Sequence, residues 1–376
     1  MNMNLGKALL IFRDYIANEG VKVPVALLSH FGTATVERWI QTLRAQGIRE
    51  IQVFTPKEAV LQTRDYLEKI GEANVEVNSI DDLRFKTTEG ALIISADYLV
   101  HPDAVRSFIQ GSYTKGTCKQ TTVLQKVVKS EPIAVDLDSL VEPRHRPACV
   151  YAGDLKASKA ALVKWSQKGI HLTSMLNAHV ENLIVKSIGG NLWITPNRIT
   201  MLVNLLALAV IYLFLKGHFI FGSVVAYIAG ILDGVDGKLA RVRGRLTRLG
   251  HIEHSLDALW EQSVYAALAV GLGAHGYGVQ ALIMGIIFLV IDSFIRHVYN
   301  QFTLITGRSL KTYSAFDRKF AVIDGRRNFY VIYFLVSSIL GNPLSGLFLS
   351  IVHASITAII YLARSIQHLS MLDREK

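Results

Sequence analysis

The chain has 376 residues, 51% of them hydrophobic and 19% charged, with a mean hydropathy of +0.31. That balance is too apolar for a soluble protein of this length and too dilute for one held wholly in a bilayer, which points to a soluble part joined to a membrane part. The formal charge of +10 would suit nucleic acid, but basic residues crowded beside apolar spans fit membrane orientation and anionic phosphate, so no nucleic-acid partner is expected. Cys118 and Cys149 lie in the polar half without metal-ligand spacing, so neither a disulfide framework nor a zinc site is expected.

The N-terminal stretch "MNMNLGKALLIFRDYIANEG" carries a short apolar run, then Arg, Asp and Glu, with no small-residue cleavage site. No signal peptide is read there, and the first half is expected in the cytoplasm. Three apolar runs of strand length follow, "VPVALLS", "IREIQVF" and "GALIISADYLV", while "TVERWIQTLRAQG" and "PDAVRSFIQG" carry helical spacing with a Gly stop. This alternation predicts an α/β domain with a largely parallel sheet over residues 1–160. Residues 161–193 form a juxtamembrane segment in which Ile170, Met175, Leu176, Val180, Leu183 and Ile184 share one side of a helix. Such a helix lies along a membrane surface or docks on a neighbour.

From residue 194 to 376 the apolar spans come quickly: "ITMLVNLLALAVIYLFLKG", "HFIFGSVVAYIAGIL", "LWEQSVYAALAVGLGAHG", "YGVQALIMGIIFLVIDSFI", "FYVIYFLVSSILG" and "LSGLFLSIVHASITAIIYLA". Six transmembrane helices are expected, the shorter ones extended by the charged turns beside them. Lys238, Arg241, Arg243, Arg245 and Arg248 follow the second span, and Arg296, Arg308, Lys311, Arg318, Lys319, Arg326 and Arg327 follow the fourth. The remaining connections hold only Lys216, so both termini are expected on the cytoplasmic side of the cell membrane.

Between the second and third spans the sequence reads "ILDGVDGKLARVRGRLTRLGHIEHSLDALWEQ". Asp233 and Asp236 fall one helical turn apart, and Glu253 and Asp257 are four apart, so each pair shares a helix face. Carboxylates near hydrocarbon are costly and converge on a bundle interior, where hard oxygen ligands suit Mg²⁺ or Mn²⁺ and two such ions can clamp a pyrophosphate. The plainer alternative is an interfacial charged loop, with Lys238 and Arg241 as counter-charges.

"DGVDGKLAR", with Gly250, Glu253 and Asp257 downstream, resembles the motif of the CDP-alcohol phosphotransferase (CDP-alcohol phosphatidyltransferase) family, Asp-x-x-Asp-Gly-x-x-Ala-Arg and, eight residues on, Gly-x-x-x-Asp-x-x-x-Asp. Asp233, Asp236, Gly237, Ala240, Arg241 and Gly250 match in kind and spacing. Strict counting from Gly250 puts the last two acidic positions on His254 and Ala258, so Glu253 and Asp257 fill them only with one residue missing. "ITPNRIT", residues 194–200, is similar to the family's Pro-Asn stretch ahead of the first span, which makes Asn197 a nucleotide contact.

The resemblance implies transfer of a phosphoalcohol or phosphatidyl group from a CDP-alcohol donor to an acceptor hydroxyl, with release of CMP. It implies Asp233, Asp236, Glu253 and Asp257 as ligands of two Mg²⁺ (or Mn²⁺) ions, Asp257 as the proton acceptor, and Asn197, Gly237, Ala240, Arg241 and Gly250 around the nucleotide. Arg326, Arg327 and Lys319 are the candidate phosphate or acceptor contacts, with a membrane-anchoring role as their alternative. A homodimer in the bilayer is expected of the family. Donors of two kinds fit, a polar CDP-alcohol such as CDP-inositol or CDP-diacylglycerol, and a non-catalytic ion-binding membrane protein or transporter stands as a different class. The soluble half is similar, more faintly, to the sugar-nucleotide and cytidylyltransferase fold, through "GTATVERWIQTLRAQGIREIQVF" and through "ISADYLVHP" with a metal-binding Asp at Asp97. "KALLIFRDYIANEG" takes the place of that family's glycine-rich phosphate loop without its glycines, and Lys22 replaces its Pro-Lys poorly. The α/β domain is therefore expected to be degenerate, a scaffold or dock for the six-helix membrane domain.

Overall fold

The computed structural model describes residues 5–18, 21–83, 90–128, 132–169, 171–244 and 250–374, without the side chains of residues 18, 21 and 250–255. The chain forms two compact units, one of residues 1–167 with 186–193 and 239–245, the other of residues 168–185, 194–238 and 246–376.

The first unit is built on a seven-stranded sheet of β1 (Lys7–Ile11), β2 (Glu50–Thr55), β3 (Glu76–Ser79), β4 (Ala91–Ser95), β5 (Lys115–Cys118), β6 (Thr121–Lys126) and β7 (Ala134–Asp136), in the order β7-β5-β6-β4-β1-β2-β3. The strands β4, β1, β2 and β3 run parallel, with Leu9 opposite both Gln52 and Ile93, and β6 is antiparallel to both neighbours. Continuous apolar runs suit strands covered on both faces, and Leu9 and Leu10 are both fully buried. Helix α1 (Thr35–Ala45) buries Val36, Trp39, Ile40 and Leu43, the stripe that its three-and-four spacing dictates. Helices α2 (Val60–Lys69), α3 (Pro102–Gln110) and α4 (Leu155–Trp165) complete the unit.

Two expectations are corrected here. "VPVALLS" is no strand of the sheet: Val21–Pro24 pairs with Tyr15–Asn18 in a hairpin and Val25–Leu27 is a 3₁₀ turn, while the first sheet strand is Lys7–Ile11, upstream. Proline has no amide donor and is excluded from a central ladder, which explains why the run breaks at Pro24. Cys118 and Cys149 are joined in a disulfide, their Cα atoms 6.1 Å apart. Their separation of 31 residues carries no sign of this.

The second unit is helical. It contains α5 (Leu172–Ile188), α6 (Pro196–Leu215), α7 (Phe219–Val242), α8 (Gly250–Leu272), α9 (Gly278–Thr306), α10 (Ala315–Phe320), α11 (Arg327–Ile339) and α12 (Pro343–Arg374), two of which, α5 and α7, end in residues of the first unit. Four helical runs among the described residues are long and apolar enough to cross a membrane: Pro196–Leu215, Phe219–Val242, Leu256–Thr306 and Pro343–Arg374. The count differs from the expected six for two physical reasons. The run Leu256–Thr306 holds the third and fourth apolar segments, continuous except for a kink at His275 and Gly276, where the backbone leaves helical angles. The fifth segment, α11, has 13 residues, about 20 Å of helix and short of a hydrocarbon core of roughly 30 Å.

Helix α5 is turned inside out. Thr173, Asn177 and Glu181 are buried, whereas Met175, Leu176, Val180 and Leu183 are exposed. Its polar face is held by Tyr227, whose hydroxyl donates to Asn177 at 2.9 Å, and by Lys238, which pairs with Glu181 at 2.9 Å and donates to Asn182 at 2.8 Å. Gly234 permits this approach, because a Cβ there would stand 2.6 Å from the Glu181 carboxylate. Ile170 lies outside the described residues.

Candidate active site

The helix α7 carries the acidic motif beyond the end of its apolar stretch, so the charged residues are helical and Asp233, Asp236, Gly237 and Ala240 follow one another along one face. Asp236 is buried; its Oδ2 accepts the Thr200 hydroxyl at 2.7 Å, and its Oδ1 accepts the Gly237 amide. Asp233 is half-buried and forms an ion pair with Arg327 at the start of α11. On α8, Asp257 and Glu261 lie one turn apart.

A cleft opens between these helices. Asp257, Glu261, Trp260 and Arg327 form its polar end, and Val203, Ala207, Val210, Ala226, Ala229, Val264 and Val331 form its apolar walls, with Asn204 among them. The cleft thus has charge at one end and hydrocarbon along the rest.

A second cavity, of about 200 Å³, shares Glu261 and Arg327 with the first and is lined by Arg296, Lys311, Arg326, Asp292, Asp324 and Tyr299. Its charges form a chain. Arg327 pairs with Glu261 at 3.0 Å, Glu261 with Arg296, and Arg296 with Asp292 at 2.8 Å. Asp324 accepts both ends of the Arg326 guanidinium at 2.7 and 2.5 Å and the Tyr361 hydroxyl at 2.5 Å. Lys311 sits 3.8 Å from Asp324 and 4.3 Å from the centre of the Tyr299 ring. Burial, reinforced by Arg326, pushes the Lys311 amine down to about 8. The loop carrying Asp324 is fixed from α5, where the Leu172 amide donates to Val322 at 2.9 Å and His171 bonds the Ala321 carbonyl.

The structure thus brings Arg326 and Arg327 into one cavity and leaves Lys319 exposed on α10, outside its walls. Arg296 and Lys311, two of the basic residues that follow the fourth span, belong to the cavity, as does Glu261. Asn197 is exposed in the first turn of α6. The Nε of Arg241 donates to the Ser166 carbonyl at 2.7 Å. The side chains of Gly250, Glu253 and His254 lie outside the described residues.

In the α/β unit, Asp97 follows β4 at the point where the chain, having moved outward through β2 and β3, returns to the other side of β1; ligands of doubly wound sheets bind at such points. The Oδ2 of Asp97 accepts the amides of Arg13 and Asp14 at 2.8 and 3.3 Å, the amides directly after β1. Burial pushes this carboxyl up to about 7. His101, Asp103 and His145 also bring one ligand atom each within 4.8 Å of one another, a composition that binds divalent ions. The Nδ1 of His101 already accepts the Asp103 amide at 3.1 Å.

The carboxylates of α7 and α8 fit a hard divalent cation by their chemistry: Asp233, Asp236 and Asp257 offer only oxygen, and Asp236 is held in place by a hydroxyl and an amide, as ligating carboxylates are.

Residues 193–358 match the family described as CDP-alcohol phosphatidyltransferase. The chain is 30% identical over 83 residues to the archaetidylinositol phosphate synthase of Pyrococcus horikoshii, an alignment covering 22% of this chain and 44% of that protein. It is 30% identical over 101 residues to the phosphatidylinositol phosphate synthase of Mycobacteroides abscessus, covering 26% and 46%. The chain therefore spans less than half the length of these curated relatives. Among solved structures, the phosphatidylinositol phosphate synthase of Mycobacterium tuberculosis with CDP-DAG bound is similar at a TM-score of 0.40 and 20% identity, over 50% of this chain and 94% of that one. It is through residues 193–358 that the chain is similar to the CDP-alcohol phosphatidyltransferase family.

Proposed function

We propose that this chain transfers a phosphatidyl-type group from a CDP-linked lipid to a hydroxyl of an acceptor that bears its own phosphate, releasing CMP. The observation that carries this reading is the pair of adjoining cavities, one apolar-walled with carboxylates at its end and one basic, which share Arg327 and Glu261. An acyl or isoprenoid chain suits the first, and a phosphorylated polyol, an inositol phosphate by analogy with the relatives, suits the second.

In the reaction the acceptor oxygen attacks the phosphorus that carries the lipid alcohol. The new O–P bond forms as the phosphoanhydride bond to CMP breaks, and CMP leaves with that bond's electron pair. Asp257 takes the proton of the acceptor hydroxyl. Asp233, Asp236, Glu253 and Asp257 are the residues that would hold one or two Mg²⁺ or Mn²⁺ ions, whose contribution is to neutralise the pyrophosphate and the departing CMP. Gly237, Ala240 and Gly250 keep the helix faces low enough for a nucleotide, with Asn197 and Arg241 at its edge. Arg326, Arg327, Arg296 and Lys311 orient the acceptor by its phosphate.

The α/β unit acts as a scaffold with a nucleotidyltransferase-like fold. Asp97 occupies the two amides that a phosphate loop would offer, which supports loss of cytidylyltransferase chemistry. Helix α5 lies in the membrane interface with Met175, Leu176, Val180 and Leu183 toward lipid, a reading supported by its buried polar face. A six-helix bundle in the cell membrane, both termini cytoplasmic, and a homodimer complete the proposal.

CMP release from CDP-diacylglycerol with inositol phosphate as acceptor, dependent on Mg²⁺, is the expected outcome. Release from CDP-inositol but not from CDP-diacylglycerol would favour a polar donor, the reading that the α/β unit suggests. No release with any donor, together with cation binding, would favour an ion-binding membrane protein.

A further inference from the structure

Thr200 stands one turn inside α6, at a position where a threonine hydroxyl ordinarily bonds the carbonyl four residues back. That carbonyl, Pro196 O, is 3.2 Å away, but the Asp236 carboxylate on α7 is closer, at 2.7 Å. A hydroxyl has one proton, and an ionised carboxylate is the stronger acceptor, so the proton points across the helix interface to Asp236. The α6 start that sets this register is fixed locally: Thr195 caps the helix by accepting the Arg198 amide at 3.3 Å, and Pro196 occupies the first position.

The bond matters because of the carboxylate it holds. The terminal torsion of an aspartate is broad, so without a partner the plane of the carboxylate is weakly defined. At Asp236 the Gly237 amide bonds Oδ1 and the Thr200 hydroxyl bonds Oδ2, one from its own helix and one from its neighbour. Two bonds to different oxygens fix the plane, and with it the direction of the lone pairs that remain on each oxygen. Asp236 is buried, so rotation away from this plane would also cost a hydrogen bond in a place where water does not replace it easily.

We infer that Thr200 is a positioning residue, one that aims the Asp236 carboxylate at a divalent cation from the neighbouring helix. The inference rests on the reading of Asp236 as a cation ligand. Groups that orient metal ligands in this way are worth about 10- to 100-fold in metal affinity. Thr200→Val keeps the branched shape and removes the donor, whereas Thr200→Ser keeps the donor and removes a methyl group.

The test is Mn²⁺ titration of the purified full-length protein, followed by electron paramagnetic resonance without substrates, alongside the Mg²⁺ dependence of CMP release. Thr200→Val is expected to weaken Mn²⁺ binding about tenfold or more, and Thr200→Ser to return it to within about threefold of the wild type. The Mg²⁺ needed for half-maximal CMP release should rise in Thr200→Val, with most of the rate recovered at saturating Mg²⁺. In an Asp236→Asn background Thr200→Val should add nothing, since it acts through that carboxylate. Wild-type Mn²⁺ affinity in Thr200→Val, or an equal loss in the Asp236→Asn background, would overturn the positioning role alone. Wild-type Mn²⁺ affinity in Asp236→Asn would overturn the cation-ligand reading, and this inference with it.

Discussion

Asp97 and Asp236 are both buried carboxylates at the ends of regular elements, yet their surroundings differ in kind. Asp97 accepts two backbone amides from the loop after β1. Asp236 is held by a neighbouring side chain and its own next amide, on a helix whose motif face adjoins a cleft with acidic and apolar walls. In the first arrangement one carboxylate oxygen accepts both bonds, and in the second each oxygen accepts one. On the proposed reading, the helical unit carries the ligand chemistry and the α/β unit does not.

The largest effects should come from the helical carboxylates. Asp233→Asn and Asp236→Asn are each expected to lower CMP release by at least about a hundredfold in protein that still folds and extracts normally, because on the proposed reading each removes a charged cation ligand. Near-normal turnover in both would erase the contrast with Asp97.

Asp257→Asn should lower turnover by about a hundredfold while CMP binding survives, as loss of a general base does. Glu253→Gln should raise the Mg²⁺ requirement instead. His254→Ala sharpens the assignment, since His254 occupies the position that strict counting from Gly250 makes acidic. If His254→Ala abolishes activity while Asp257→Asn is tolerated, the base is misassigned.

The basic cavity predicts a smaller effect with a pH signature. Lys311→Met should raise KM for a phosphorylated acceptor about tenfold, the range for loss of one charged hydrogen bond, whereas Lys319→Ala should leave it unchanged. The Lys311 amine titrates at about 8, so it is charged below that pH and neutral above it. Acceptor KM should therefore rise as pH passes through 8 in the wild type, and this rise should be lost in Lys311→Met.

The smallest effect belongs to the α/β unit. The Asp97 carboxyl, at about 7 when folded, lies above its ordinary value of 3.8, so the folded state binds the proton more tightly than the unfolded state. Stability from this group is greatest at low pH and falls as pH rises from about 4 to about 7, with the full cost above. Asp97→Asn should slow hydrogen exchange in β1 and β4 at pH 8 and change it little at pH 5. CMP release by the helical unit should be unaffected, and CTP should yield no CDP-alcohol in either protein.

The parts legible in the sequence were those written in local patterns. The strands at Glu50–Thr55 and Ala91–Ser95 and the helix at Thr35–Ala45 follow from apolar runs and three-and-four spacing. The parallel β4-β1-β2-β3 core follows from their alternation. The acidic motif was readable because its members are neighbours on single helices. Pairings between distant segments were not. Arg327 meets Asp233 across 94 residues, a pairing that depends on the packing of α11 and that no local pattern shows. Glu261 carries only a faint signal, an acidic residue four after Asp257 and outside the motif. "VPVALLS" has strand composition, but its proline forbids the central ladder.

The central claim, a lipid donor and a phosphorylated acceptor meeting at the α7 and α8 carboxylates, is tested most directly by CMP release from purified full-length protein in Mg²⁺. CDP-diacylglycerol and CDP-inositol would each be offered as donor, with inositol phosphate or inositol as acceptor. The account predicts release with CDP-diacylglycerol and inositol phosphate, abolished by Asp236→Asn and far slower with unphosphorylated inositol. Release from CDP-inositol alone, or release indifferent to the acceptor phosphate, would contradict it.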